Sequence, residues 1–219
     1  MLAPLVDVKQ MREARMEARL AAETKRKHDD APFMRGIHHL ALCTDDIKKT
    51  TEFYVRVLGM PLIHAMKVPA GLGTGTGNRG NPPYERVRHY FYDMGNDSTL
   101  AFFEIPKGKE PAANRNAIGA MQHCAFVVTP ERFRDIENRL REHGIPYIGP
   151  LVQLPGLDGI YFMDPNGIRL EFACQAADGG DPHVIEGCIQ TKAQASEELR
   201  TLAGVDEAWL AEMTGAMPR

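Results

Sequence analysis

Four cysteines occur in 219 residues, Cys43, Cys124, Cys174 and Cys188, and no two of them form a Cys-x-x-Cys pair. A zinc ribbon and a dithiol redox motif are thereby excluded, and small reduced thiols in a cytoplasm are the expectation. No apolar run approaches the ~20 residues of a membrane span. The N-terminus lacks the apolar core of a signal peptide, and Glu13, Glu17 and Glu23 spoil a transit-peptide reading. Positive charge is also short: 26 Lys and Arg stand against 29 Asp and Glu, a formal net charge of −3. The one basic run, Lys25-Arg26-Lys27, is brief and abuts Asp29-Asp30. Phosphate binding needs clustered cations, so neither nucleic acid nor a membrane is expected as a partner. What remains, 43% hydrophobic and 25% charged residues, is the composition of one soluble globular domain or two small ones.

A segment of the chain occurs twice. Gly36-Ile37-His38-His39-Leu40-Ala41-Leu42-Cys43-Thr44 returns as Ala120-Met121-Gln122-His123-Cys124-Ala125-Phe126-Val127-Val128, with His123 on His39 at an offset of 84. Each copy runs into a helical stretch and then a Gly-X-Pro turn, Gly59-Met60-Pro61 and Gly144-Ile145-Pro146. In the first copy the pattern predicts strands at 37–43, 61–67, 87–93 and 99–105. It places a helix over 46–58, capped by Asp45 or Asp46, with Ile47, Thr51, Tyr54 and Leu58 on one face. In the second it predicts strands at 121–128, 147–152, 159–163 and 168–174. The helix there has Thr129 as N-cap, Pro130 at its first position and Phe133, Ile136 and Leu140 as its buried stripe. The order is βαβββ twice, an α+β fold of two tandem modules, residues 36–117 and 118–177, with helices on one face of each sheet. The other face is free to carry chemistry.

Three segments lie outside the repeat. Residues 1–35 have a helical tendency over 5–28, and 178–219 resume as a helical pair, Lys192–Leu202 and Asp206–Met213, with Trp209 and Leu210 as a docking patch. The Gly-rich stretch 69–82 echoes a nucleotide loop, but Asn81-Pro82-Pro83 rather than a helix follows it, so no helix dipole is available to a phosphate. It reads as an edge loop or lid.

Side chains of a strand alternate faces, so His39 shares its side with Ile37, Ala41 and Cys43, and His123 occupies the same step of the repeat. In the final strand Arg169, Glu171 and Ala173 share one face. Laying Phe103-Glu104-Ile105 on Leu170-Glu171-Phe172 makes Glu104 the counterpart of Glu171. Imidazoles plus carboxylates form a nitrogen and oxygen site suited to one divalent ion, Fe(II), Mn(II), Zn(II), Ni(II) or Co(II), with positions left for water and substrate. Tyr90 and Tyr161 fall at equivalent steps of the third strands and with Phe102 suit a small aromatic or apolar oxygenated substrate. His38 is expected to face outward.

On Ile37-His38-His39-Leu40-Ala41-Leu42 ahead of Asp46, Phe53-Tyr54 before Leu58-Gly59-Met60, His123-Cys124-Ala125-Phe126, and Tyr161 to Glu171, the chain resembles the vicinal oxygen chelate superfamily. That superfamily includes glyoxalase I, methylmalonyl-CoA epimerase, fosfomycin-resistance proteins and extradiol dioxygenases. The resemblance covers about residues 36–176 and implies His39, His123 and Glu171 as metal ligands, with Glu104 as a fourth. Extradiol dioxygenases use two His and one carboxylate on iron, with a tyrosine ten residues before the Glu, where Tyr161 stands. Their second-sphere histidine has no match at Val152-Gln153-Leu154, and His64 is the candidate replacement. The expectation is an iron-dependent ring-cleaving dioxygenase with Tyr161, Glu104 and His64 as catalytic candidates. The alternative, if Glu104 is a ligand, is a redox-neutral lyase or epimerase of glyoxalase type, using the metal as Lewis acid with a carboxylate to shuttle the proton. A second alternative is a protein that sequesters a small molecule. The extensions, too poor in apolar residues for a core of their own, are expected to lie across the partner of a two-fold homodimer.

Overall fold

Helical and strand periods in each repeat resolve, in a computed structural model, into two four-stranded mixed sheets of the same wiring. The structure describes residues 36–69, 84, 86–154, 157–175 and 190–217. The expected N-terminal helix and nearly all of the Gly-rich loop lie outside the described residues. The chain divides into two compact units, Met1–Ala113 with Pro165–Gly167, and Asn114–Asp164 with Ile168–Arg219.

In the first unit β1 (His39–Thr44) leads through α1 (Ile47–Glu52) to β2 (Leu62–Lys67), β3 (Arg88–Gly95) and β4 (Ser98–Glu104), in the sheet order β1-β4-β3-β2. The β1 and β4 strands run parallel and the other pairs antiparallel. Asp46 caps α1 by accepting from the Lys49 N–H at 2.9 Å, and the Thr44 and Thr50 hydroxyls, 2.8 Å apart and buried, tie the end of β1 to the helix. The helix expected over 46–58 changes character midway: Phe53–Val57 form a π-helical turn, and the Leu58 N–H reaches the Phe53 carbonyl at 3.2 Å. The wider turn brings Phe53, Tyr54 and Val57 to the sheet together and leaves Leu58 half-buried. Tyr54 is fully buried against Tyr92 and Phe102, with ring centroids at 5.6 and 5.1 Å. Burying side chains of this size contributes roughly 1.5–3 kcal/mol each, which fixes the helix on that face.

The second unit repeats the plan with β5 (Cys124–Val127), α2 (Pro130–Glu142), β6 (Tyr147–Leu154), β7 (Leu157–Met163) and β8 (Arg169–Gln175), ordered β5-β8-β7-β6. Thr129 accepts from the Arg132 N–H at 3.3 Å; Phe133, Ile136 and Leu140 are buried as the spacing requires. The helix gives way at Gly144, whose φ of 66° suits a residue without Cβ. Beyond the sheet lie α3 (Lys192–Leu199) and α4 (Glu207–Met213). Leu210 is buried there, while Trp209 and Met213 are substantially exposed. Among the described residues no helix is long and apolar enough to cross a membrane.

Each helix covers one side of its sheet. On the other side His39, Ala41 and Cys43 of β1, and Ala125 and Val127 of β5, are exposed.

Candidate metal centre

On the second sheet the register settles which residues share the open face. Ala125 pairs with Glu171, and Glu171 with Tyr161. Paired residues project to the same side of a pleated sheet, so Glu171 stands there with Tyr161, Gly159, Arg169 and Met163. His123, the residue before β5, sends Nε2 to 3.1 Å from the buried Glu171 Oε2. Its other nitrogen, Nδ1, is held by the Gln122 side-chain carbonyl. A proton on Nδ1 leaves Nε2 as a lone pair facing a carboxylate, and two such groups need a proton or a cation between them. Ligand bonds of about 2.0–2.2 Å meeting at 90° to 109° place two donors about 2.8–3.6 Å apart. The observed 3.1 Å serves a His–Glu hydrogen bond and a pair of ligands on one ion equally well. The donor set therefore fits a divalent metal, and Gln122 sets the tautomer that such a ligand needs.

The first sheet carries His39 on its open face, and its Nδ1 lies 2.8 Å from the Nδ1 of His38. His38, expected to face away, is thus the partner that orients His39, as Gln122 orients His123. In both repeats the side chain of the preceding residue contacts Nδ1 of the histidine.

Glu104 requires a correction. His39 pairs with Thr99 and Ala41 with Ala101, so Ala101 is the true counterpart of Glu171, and Glu104, paired with Thr44, projects to the helix side. There one carboxylate oxygen accepts from the Ile47 N–H at 3.2 Å and the other from Arg88. Its work is to seat the start of α1 and to neutralise Arg88; the carboxylate that the register does set on the face of His39 is Asp93, paired with Thr99, whose Oδ1 accepts from the Gly95 N–H at 2.8 Å. The same register corrects the two-phenol expectation. Phe91, paired with Ala101, is the counterpart of Tyr161, whereas Tyr90 pairs with Phe102, and both belong to the helix side.

His64 does share the face of His39. It is exposed on β2, with its ring 5.6 Å from that of Phe91. A second histidine there was missed from the sequence. His89 on β3 stacks on Phe103 at 3.6 Å and tilts against Phe91 at 4.4 Å. Its Nε2 is buried without a hydrogen-bond partner among the described residues. Burial first, then the charges of His39 and His64, pull its pKa down to about 4, so its imidazole is neutral at ordinary pH. The signal in the sequence was its odd-numbered step from His39 through Thr99 and Phe103, hidden by matching Tyr90 to Tyr161.

Beside Glu171 the electrostatics run the other way. Burial, then hydrogen bonding to the Glu171 carboxylate and its negative charge, push the Tyr161 hydroxyl up to about 12, which keeps it a proton donor. The Tyr161 ring meets His123 edge-on at 6.1 Å and carries the Arg169 guanidinium at 4.5 Å over its face. Gly159 makes room for this group: a Cβ there would lie 3.0 Å from Glu171 Oε1 and 3.2 Å from Tyr161 Cε2. Among the described residues no three His, Cys, Asp or Glu side chains gather as one metal-holding group; the convergent pair is His123 with Glu171.

Comparison with known proteins agrees with this architecture. The Bacillus subtilis (strain 168) protein named "Putative ring-cleaving dioxygenase MhqA" is 29% identical over 140 residues, 63% of this chain. The chain spans only 39% of that relative's length. A crystal structure of a glyoxylase/bleomycin resistance protein/dioxygenase domain from Frankia sp. EAN1pec superposes with a TM-score of 0.51 at 18% identity, covering 66% of this chain and 94% of that one. The glyoxalase family protein from Enterococcus faecalis gives 0.50 at 22% identity, covering 65% and 99%. At these identities the structures speak for the fold alone. Family members are mostly metal-dependent enzymes acting on small molecules. The family model matches residues 36–172, the span that holds both sheets and both histidine strands, and the chain belongs to the Glyoxalase/Bleomycin resistance protein/Dioxygenase superfamily.

Proposed function

We propose that the chain is a divalent-metal-dependent, extradiol-type ring-cleaving dioxygenase acting on a small aromatic diol. The observation that carries the reading is the His123–Glu171 pair with the Tyr161 hydroxyl against the same carboxylate. His123 and Glu171 are two ligands; His39, at the same step of the other repeat and likewise fixed through Nδ1, is the third. The removal of Glu104 from its face leaves two imidazoles and one carboxylate, a set with open positions that suits Fe(II). The four-ligand arrangement that favoured glyoxalase-type chemistry loses its fourth member.

A bound Fe(II) would bring the ring diol and dioxygen together and relay electrons from the ring, which is oxidised, to the oxygen. The protein's own groups do the rest. Glu171 contributes negative charge beside the His123 imidazole, and Tyr161, protonated throughout the working range, turns its one O–H from the Glu171 carboxylate to a substrate oxygen when substrate binds. His89 is neutral and flanked by Phe91 and Phe103, so it keeps the open face of the first sheet uncharged beside His39. The aromatic and apolar side chains on the open face of the second sheet, Tyr161, Ile148 and Met163, suit a flat substrate. Cys43, Cys124 and Cys174 are free thiols, which fits a cytoplasmic location. The exposed Trp209 and Met213 of α4 support a homodimer, and light scattering of the full chain should give twice the 24.4 kDa monomer mass.

Oxygen uptake by protein loaded anaerobically with iron, over a panel of catechols, tests the reading. Uptake with a stoichiometric ring-opened product supports it. No uptake, with turnover of 2-oxoaldehydes or acyl thioesters on Ni, Co or Zn, overturns it.

A further inference from the structure

Among the described residues, one charge on the open face of the second sheet lacks a counter-charge. Arg169 begins β8, two residues before Glu171 and directly opposite Met163 on β7. It is half-buried. Among the described residues it forms no ion pair, and its guanidinium is carried on the face of the Tyr161 ring. The carboxylate nearest along the strand, Glu171, faces His123 and Tyr161 instead. A guanidinium held by a π-face keeps its fork of donors for a planar anion, and the ring below it limits the orientations it must surrender on binding. Met163, the direct partner of Arg169, and Ile148, the direct partner of Tyr161, are both exposed and add apolar surface to this face.

We propose that Arg169 receives a carboxylate borne on the substrate ring, so that the preferred substrates are aromatic carboxylates rather than neutral phenols. Two residues of strand separate Arg169 from Glu171 by roughly 6.6 Å, which is the span of a benzene ring with its substituents. A ring lying along β8 then presents its hydroxyls at Glu171 and its carboxylate at Arg169. The ring diol rests on the ring-cleaving reading; the anion rests on Arg169 alone.

Isothermal titration of full-length, zinc-loaded protein with 3,4-dihydroxybenzoate and with 4-methylcatechol separates the two, because zinc has no redox chemistry to consume either ligand. The unmodified protein should bind the carboxylate at least about ten-fold tighter, as a bidentate charge-assisted pair requires. Arg169→Gln should abolish that preference while shifting 4-methylcatechol by less than about three-fold, and Arg169→Lys should retain part of it. Equal affinity for both ligands in the unmodified protein, or binding of neither, overturns the inference. So does an Arg169→Gln protein that still prefers the carboxylate or that loses both ligands alike. Should that variant fail to fold, the unmodified protein and Arg169→Lys decide. Carboxylate preference without oxygen uptake would keep the anion site and remove the ring-cleaving reading. Oxygen uptake without preference would do the reverse.

Discussion

Tyr161 and His89 occupy open sheet faces with opposite protonation tasks, and each is set by its surroundings. Tyr161 sits beside a carboxylate in a buried position and stays protonated to about pH 12; removing its hydroxyl in Tyr161→Phe should leave metal content unchanged and lower kcat by about 100-fold or more, the usual contribution of a positioned proton donor. His89 loses its proton near pH 4 in the folded, metal-free protein, whereas the unfolded chain takes one up from about pH 6.5 downward. Between those values the unfolded state binds more protons, so stability falls as pH drops from about 6.5 to 4. His89→Phe should flatten that part of the curve, and the imidazole resonances of His89 should titrate below pH 5 by NMR. Glu104 belongs to a different account. Glu104→Gln should cost about 1 kcal/mol of stability through weakened bonds to Ile47 and Arg88, with metal content intact by elemental analysis.

At the scale of the element, β7 and β8 are one device. Their register sets Gly159, Tyr161 and Met163 against Ala173, Glu171 and Arg169, and the absence of a side chain at Gly159 lets Glu171 and Tyr161 meet. Gly159→Ala adds a Cβ that the carboxylate must yield to by a few tenths of an ångström. Metal affinity should fall about ten-fold, as for other residues that support a ligand, while the melting temperature moves little. Much of this element level was legible in the sequence. Thr129, Pro130 and the Phe133–Ile136–Leu140 stripe wrote α2 in full, because caps and periodicity are local signals. The π-turn at Phe53–Val57 was not legible. An extra residue per turn leaves the composition unchanged, and only the packing of Phe53, Tyr54 and Val57 on the sheet shows it. The face of Glu104 was misread for a related reason: register in a sheet is fixed by hydrogen bonds between strands far apart in sequence, and a displacement of three residues reverses the side. Matching Glu to Glu followed side-chain chemistry, whereas the ladder follows the backbone.

At the scale of the whole molecule, a duplicated βαβββ plan has been kept for architecture while its two copies have diverged in chemistry. His39 and His123 persist, each with Nδ1 occupied by the residue before it; the carboxylate and phenol of one copy are replaced in the other by Ala101 and Phe91. Repetition made the fold and the two histidines readable from sequence, and divergence made the rest of the site unreadable by repetition alone. The central proposal is that His123 and Glu171 hold one divalent ion, with His39 offered by the sequence repeat as third ligand. Elemental analysis of protein purified without chelator, alongside His123→Ala, Glu171→Gln, His39→Ala and Glu104→Gln, tests it most directly. About one equivalent of metal is predicted in the unmodified chain and in Glu104→Gln, with loss of most of it in the other three; equal metal content in the unmodified protein and in His123→Ala would contradict the account.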